Sequence, residues 1–168
     1  MSEQKQRTQD EWHQYFIEES IKESAKGIET GEGDPFGAVI VKDNKIIARG
    51  YNQIVLLNDS TAHGEMQAIR NAGQILNSWK LNDCILYASC EPCSMCHSAI
   101  ILTGIKKVYF AMSAGDLQTI VPHCTEGYAQ SEINKAREER NTPFFQILEK
   151  REEAMKSYRE GKQSTNQN

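Results

Sequence analysis

The segment SCEPCSMCHSAI, Ser89 to Ile100, holds three of the chain's five cysteines: Cys90, Cys93 and Cys96, each three residues from the next. Thiols this close can form a disulfide, a redox pair, an iron–sulfur site or a zinc site. Cys93 and Cys96 stand at i and i+3, on one face of the first turn of a helix that Pro92 can precede without losing a needed N–H. The partial positive charge of a helix start favours thiolate, the form that binds metal. Two thiolates make half of a tetrahedral zinc site. His63, in TAHGEM, also stands at an expected helix start, and can be the third ligand, with Glu65 reaching in beside it. Three protein ligands leave a fourth position open for water, which distinguishes a catalytic zinc site from a structural one.

The other readings fit less well. An iron–sulfur run would need cysteine and proline where Ile100 and Ile101 stand. A thioredoxin-like pair would leave His63 and Glu65 without a purpose. Cys90 reads as a small apolar side chain ending a buried strand. His97 reads as solvated, His13 as a surface residue of the first helix, and His123 with Cys124 as part of an ordinary loop.

These residues need elements to hold them. Trp12, Phe16, Ile17, Ile21 and Ala25 recur at helical spacing between Asp10 and Gly27. The turn cluster GEGDP follows, then a hairpin over FGAVIVKDNKIIARGYN with strands around Ala38–Val41 and Ile46–Ala48. Met66, Ile69, Ala72, Gly73 and Leu76 predict a second helix, begun near His63. CILYA reads as a strand and CSMCHSAIILTG as a third helix closed by Gly104. KKVYFAM reads as a strand, Gly115–Gly127 as an irregular loop, YAQSEINKAREER as a helix, PFFQIL as a last strand and EKREEAMKSYRE as a charged C-terminal helix. Helices between the later strands imply an α/β fold whose sheet joins an antiparallel hairpin to parallel strands. The polar residues 161–168 are expected to fray.

The chain has 168 residues and a formal net charge of −4, which fits one domain spanning residues 1–168. The absence of a basic run argues against nucleic acid as the main partner. The N-terminal residues show no apolar stretch behind their charges, and no apolar run approaches a membrane span, so a cytoplasmic location is expected. There, clustered thiols more often bind metal than form disulfides.

H-x-E followed by P-C-x-x-C marks the zinc-dependent nucleobase deaminases; here it is His63-Gly64-Glu65 and Pro92-Cys93-Ser94-Met95-Cys96. From about Ile17 onward the chain resembles the cytidine deaminase-like superfamily, and within it the bacterial guanine deaminases. The resemblance runs through GDPFGAVIVKDNKIIARGYN, NDSTAHGEMQAIRNA, LNDCILYASCEPCSMCHSAI and EERNTPFFQI. It implies a three-layer αβα sandwich with a mixed five-stranded sheet, Zn2+ held between two helix starts, and Glu65 as the proton carrier in hydrolysis of a purine amine, guanine giving xanthine and ammonia. It further implies that Phe36 packs on the base, Asn52 reads its edge, the backbone N–H of Gly64 contacts it, and Asp116, with Glu126, accepts from guanine N–H groups. The usual H-A-E is H-G-E here, and Gly115–Tyr128 matches poorly. A homodimer with an exchanged C-terminal segment is also implied. Guanosine, cytosine, a pterin or tRNA adenosine are alternative substrates, and a zinc-stabilised interaction module is the non-enzymatic alternative.

Overall fold

Thr8 starts the first helix: its hydroxyl accepts the N–H of Glu11, whose carboxylate accepts that of Thr8. In the computed structural model, which describes residues 7–121, 139 and 144–165, this helix, α1 (Gln9–Thr30), ends at Gly31 in the left-handed conformation. Phe16, Ile17 and Ile21 form its buried stripe. A fully buried side chain of this kind contributes about 1.5–3 kcal/mol.

β1 (Gly37–Lys42) and β2 (Lys45–Tyr51) form the expected hairpin. Its turn residues, Asp43 and Asn44, both have positive φ, the conformation that two-residue hairpin loops require. After the short helix α2 (Ile54–Leu57), α3 (Gly64–Leu76) leads to β3 (Ile85–Cys90). α4 (Ser94–Thr103), β4 (Lys107–Met112), α5 (Ala114–Ile120) and β5 (Phe144–Gln146) follow. A single 3₁₀ turn then precedes α6 (Arg151–Thr165). The strand order is β2-β1-β3-β4-β5; β1 is antiparallel to both β2 and β3, while β3–β4 and β4–β5 are parallel.

Alternation along the strands separates two cores. Ala38, Ile40, Leu86, Ala88, Val108 and Phe110 face α3 and α4, meeting Ala68, Ala72 and Ile100. Val39, Val41, Tyr87 and Ala111 face the other way, onto α1 and α6. The result is the expected three-layer sandwich. Among the described residues no helix is long and apolar enough to cross a membrane.

Several local expectations are corrected. Ala114–Ile120 is helical rather than irregular, because Ser113 and Asp116 form a second capping box. α6 runs past Glu160 into the segment expected to fray. His13 is half-buried against the sheet: its Nδ1 lies 2.8 Å from the Tyr87 hydroxyl and its ring stacks 4.1 Å from Tyr109. His97 is only 4% exposed and meets Phe144 edge-on at 4.7 Å. Cys90 ends β3 inside the apolar cluster, as expected. The expected helix over 128–140, apart from residue 139, lies outside the described residues, together with His123, Cys124 and Glu126.

Candidate active site

The site forms where the start of β1 lies beside the end of β3. The antiparallel register pairs Ala38 with Ala88, and Ser89 Oγ accepts the Gly37 N–H at 3.1 Å. Each neighbouring helix then presents its first residues to the same point. His63 is the N-cap of α3 (φ −66°, ψ 157°) and Cys93 the N-cap of α4 (φ −65°, ψ 171°). In that extended conformation a side chain swings ahead of the helix instead of along its flank. Cys96, at the third helical position, has the reach that lets N-cap and N3 side chains converge in a capping box.

Cys93 Sγ and Cys96 Sγ each lie 3.6 Å from His63 Nδ1, and the three ligand atoms lie within 4.8 Å of one another. Zn–S bonds of ~2.3 Å and a Zn–N bond of ~2.0–2.1 Å at a tetrahedral angle put sulfur and nitrogen about 3.5–3.6 Å apart. The donor set and its spacing therefore fit zinc. Cys93 is brought down to about 4, chiefly by hydrogen bonding from Cys96, against opposing burial and with help from His63. Cys96 moves the other way, first through its hydrogen bond to Cys93 and then through burial. His63 is raised, first by its bond to Cys93. The three groups are electrostatically one unit.

Glu65 sits in the first turn of α3, 6% exposed, with Oε2 3.5 Å from Cys96 Sγ. Burial pushes its carboxyl up to about 7, the Cys93 charge adding to the rise and His63 opposing it. A carboxyl near neutrality can both take and give a proton.

Phe36, Asn52 and Gly64 come together beside these groups. The Asn52 N–H donates to Phe36 O at 2.9 Å. Asn52 Oδ1 accepts from the N–H groups of Asp34 and Ile54, both at 3.2 Å. That fixes the amide's orientation and leaves its NH2 as the end that can donate to a ligand. Gly33 permits this: a Cβ there would fall 2.2 Å from Asn52 O. Gly64 makes a similar approach, since its Cβ would fall 2.9 Å from Phe36 O and 3.0 Å from Gly37 Cα. The Phe36 ring is half-buried, and Tyr158 of α6 reaches it at a centroid distance of 5.6 Å.

Asp116 is differently occupied from the expectation. One oxygen accepts from the Ser113 N–H and hydroxyl and from Gln146 Nε2, at 2.9, 2.7 and 3.2 Å; the other pairs with Arg151 at 2.6 Å. Burial works against its ionisation, but Arg151 and Ser113 hold it well below the usual carboxylate range. It thus caps α5 and anchors α6.

Two residues near the site escaped the sequence reading. Tyr158 is 3% exposed, and its 3.6-residue period marks it as apolar-facing without saying which ring it meets. Glu91 is 8% exposed and its Oε2 accepts the Ala114 N–H at 2.9 Å. Its place beside Pro92–Cys93 was the only available signal.

Residues 10–112 match the family described as the cytidine and deoxycytidylate deaminase zinc-binding region. Guanine deaminase of Bacillus subtilis is 43% identical over 135 residues, covering 80% of this chain and 85% of that protein. Its X-ray structure superposes with a TM-score of 0.63 at 40% identity, over 88% of this chain and 94% of that one. A tRNA-specific adenosine deaminase of Aquifex aeolicus is 43% identical over 98 residues, 58% of this chain and 64% of that protein. The fold, the fitted donor set and the matched region agree: the chain belongs to the zinc-binding cytidine/deoxycytidylate deaminase family and is a hydrolytic deaminase.

Proposed function

We propose that this deaminase acts on a free purine base and converts guanine and water to xanthine and ammonia. The observation that carries this is the extent of the likeness. Similarity to guanine deaminase runs over 80% of the chain, whereas the tRNA deaminase of A. aeolicus matches over 58%. The acidic balance, −4 overall, also favours a small substrate over an RNA stem-loop.

His63, Cys93 and Cys96 would hold zinc, which would supply Lewis acidity that brings the pKa of a water down toward ~7. Glu65 takes a proton from the attacking water as oxygen bonds to the ring carbon bearing the amine. It passes that proton to the adjacent ring nitrogen, then takes the proton of the newly added hydroxyl and gives it to the amine, so that the carbon–nitrogen bond breaks, ammonia leaves and an exocyclic carbonyl forms, with the ring nitrogen keeping its hydrogen. Phe36 offers a flat apolar surface to the base, the Asn52 NH2 donates to its edge, and the Gly64 N–H donates from the start of α3. Asp116, committed to α5 and α6, supports the wall rather than the base. The whole chain serves as one domain.

The same proposal includes a cytoplasmic homodimer. Val55, Leu56 and Leu57 of α2 are 65%, 53% and 50% exposed beside the site, an apolar edge that a second copy would cover. Exchange of the C-terminal segment would set α6 against the partner's site. Solution mass and turnover of the full chain and of a truncation ending at Glu149 test this; if neither changes, exchange is ruled out.

The substrate is tested by ammonia release over guanine, guanosine, adenine, cytosine, a pterin and an adenosine-bearing tRNA anticodon stem-loop, with zinc measured on the same sample. Guanine should exceed the others in kcat/KM. Preference for the stem-loop, with steep salt dependence, would select the tRNA reading. Stoichiometric zinc with no ammonia from any substrate would select the interaction module.

A further inference from the structure

We infer that Glu91 is a positioning residue for the metal centre, pinning the loop that carries Cys93 to the first turn of α5. This rests on the zinc reading of His63, Cys93 and Cys96 and goes beyond it to the support of one ligand.

β3 ends at Cys90 and Cys93 is already the N-cap of α4, so the connection is only Glu91–Pro92. Pro92 has no N–H to anchor it. The one backbone donor of the connection, the Glu91 N–H, goes to Met112 O at 2.8 Å, at the end of β4. That bond fixes one point of the short loop. The Glu91 side chain supplies a second point: Oε2 accepts the N–H of Ala114, the first residue of α5, at 2.9 Å. Both anchors lie within three residues of chain on the β4–α5 junction. Together they fix the direction in which the following residue, Cys93, leaves the loop.

The arrangement also serves α5. Ser113 Oγ accepts the Asp116 N–H at 3.1 Å, and Glu91 takes the Ala114 N–H, which has no partner within its own helix. α5 in turn holds α6 through Asp116 and Arg151. The support of Cys93 and the seating of the C-terminal helix therefore share one short helix. Glu91 acts through Cys93.

The test compares wild type, Glu91→Ala, Glu91→Gln and Ala114→Pro. Zinc affinity is measured by competition with a chromophoric chelator, and the thiolate-to-metal charge-transfer band is recorded after cobalt substitution. Ala114→Pro deletes the donor without touching Glu91. Proline is well tolerated at the first helical position, and Ser113, at φ −78° and ψ 164°, already has the extended conformation that a following proline demands. Loss of outer support around a ligand weakens metal binding about 10-fold or more. Glu91→Ala and Ala114→Pro should each show a loss of that order with an altered cobalt band, and together no more than either alone. Glu91→Gln, which keeps an oxygen acceptor, should recover most of the affinity. Zinc affinity within twofold of wild type in Ala114→Pro, or a Glu91→Gln no better than Glu91→Ala, overturns the inference, even if thermal stability has dropped. Wild type without stoichiometric zinc would overturn the metal site itself, a separate failure.

Discussion

Replacing Glu65 by glutamine separates chemistry from stability in one substitution. The shape is kept, and the only loss is an ionisable group that is 6% exposed and raised by burial from 4.5 to about 7. A shift of that size corresponds to about 3 kcal/mol disfavouring the ionised carboxyl in the folded protein. Because the folded value is raised, the stabilising preference for the protonated form is complete below about pH 4.5 and is lost as pH rises through about 7. Glutamine does not titrate. In protein stripped by a chelator, Glu65→Gln should match wild type near pH 4.5, gain on it through neutrality, and level off above about pH 8 at about 3 kcal/mol. For a chain of this length that is a Tm difference of about 6–12 °C. In zinc-loaded protein the advantage should shrink, since a nearby dication favours the carboxylate. Turnover should fall about 10²–10⁴-fold with zinc content unchanged. Thermal unfolding across pH, ammonia release and metal analysis on the same samples check all three. A pH-independent stability difference would refute the burial reasoning, and near-wild-type turnover would remove Glu65 from the proton path.

Gly64→Ala puts a Cβ 2.9 Å from Phe36 O; the start of α3 must shift, and kcat/KM should fall about tenfold, while alanine's better helix propensity keeps the stability change near 1 kcal/mol. Unchanged kinetics would show that the close approach has no role in positioning. Asn52→Asp keeps an acceptor for the Asp34 and Ile54 N–H groups but removes the donor, so KM for guanine should rise more than Tm falls; a Tm loss with no kinetic change would confine Asn52 to structure. His13 is lowered from 6.5 by burial, with Lys107 assisting and Asp10 opposing, so its neutral-ring contribution is full above about pH 6.5 and is lost as pH falls through the lower folded value. His13→Gln should flatten the acid side of the Tm profile, and an unchanged slope there would assign that slope to other groups.

The zinc ligands were legible because their spacing is local: two thiols one turn apart and a histidine two residues from a carboxylate, each at a helix start. The layers were legible because β1, β3 and β4 alternate faces and α1 and α3 keep their apolar stripes. What stayed hidden depended on distant partners. His97 looks polar by its place on α4, yet it is buried by Phe144, which belongs to a strand about fifty residues later in the chain. His13 is covered by Tyr87 and Tyr109 from the sheet. Asp116 looked available in a loop, but its oxygens are engaged by Ser113, Gln146 and Arg151. α5 did carry a signal, S-A-G-D. It was missed because the capping residue three positions on is aspartate rather than the more usual glutamate or glutamine.

The pairing of β1 with β3 sets the spacing between the two halves of the metal centre. As the chain leaves the ribosome, its imidazole emerges well before either sulfur, and the two halves stay apart until strands some fifty residues distant in sequence have annealed. Such a nonlocal closure comes late in folding. An emerging chain offers passing ions His63 and the Cys93–Cys96 pair as separate fragments, and the full cage needs the sheet to set its dimensions. A zinc finger is unfolded until the ion arrives; here the strand register and two helix starts themselves bring the three ligand atoms within 4.8 Å of one another.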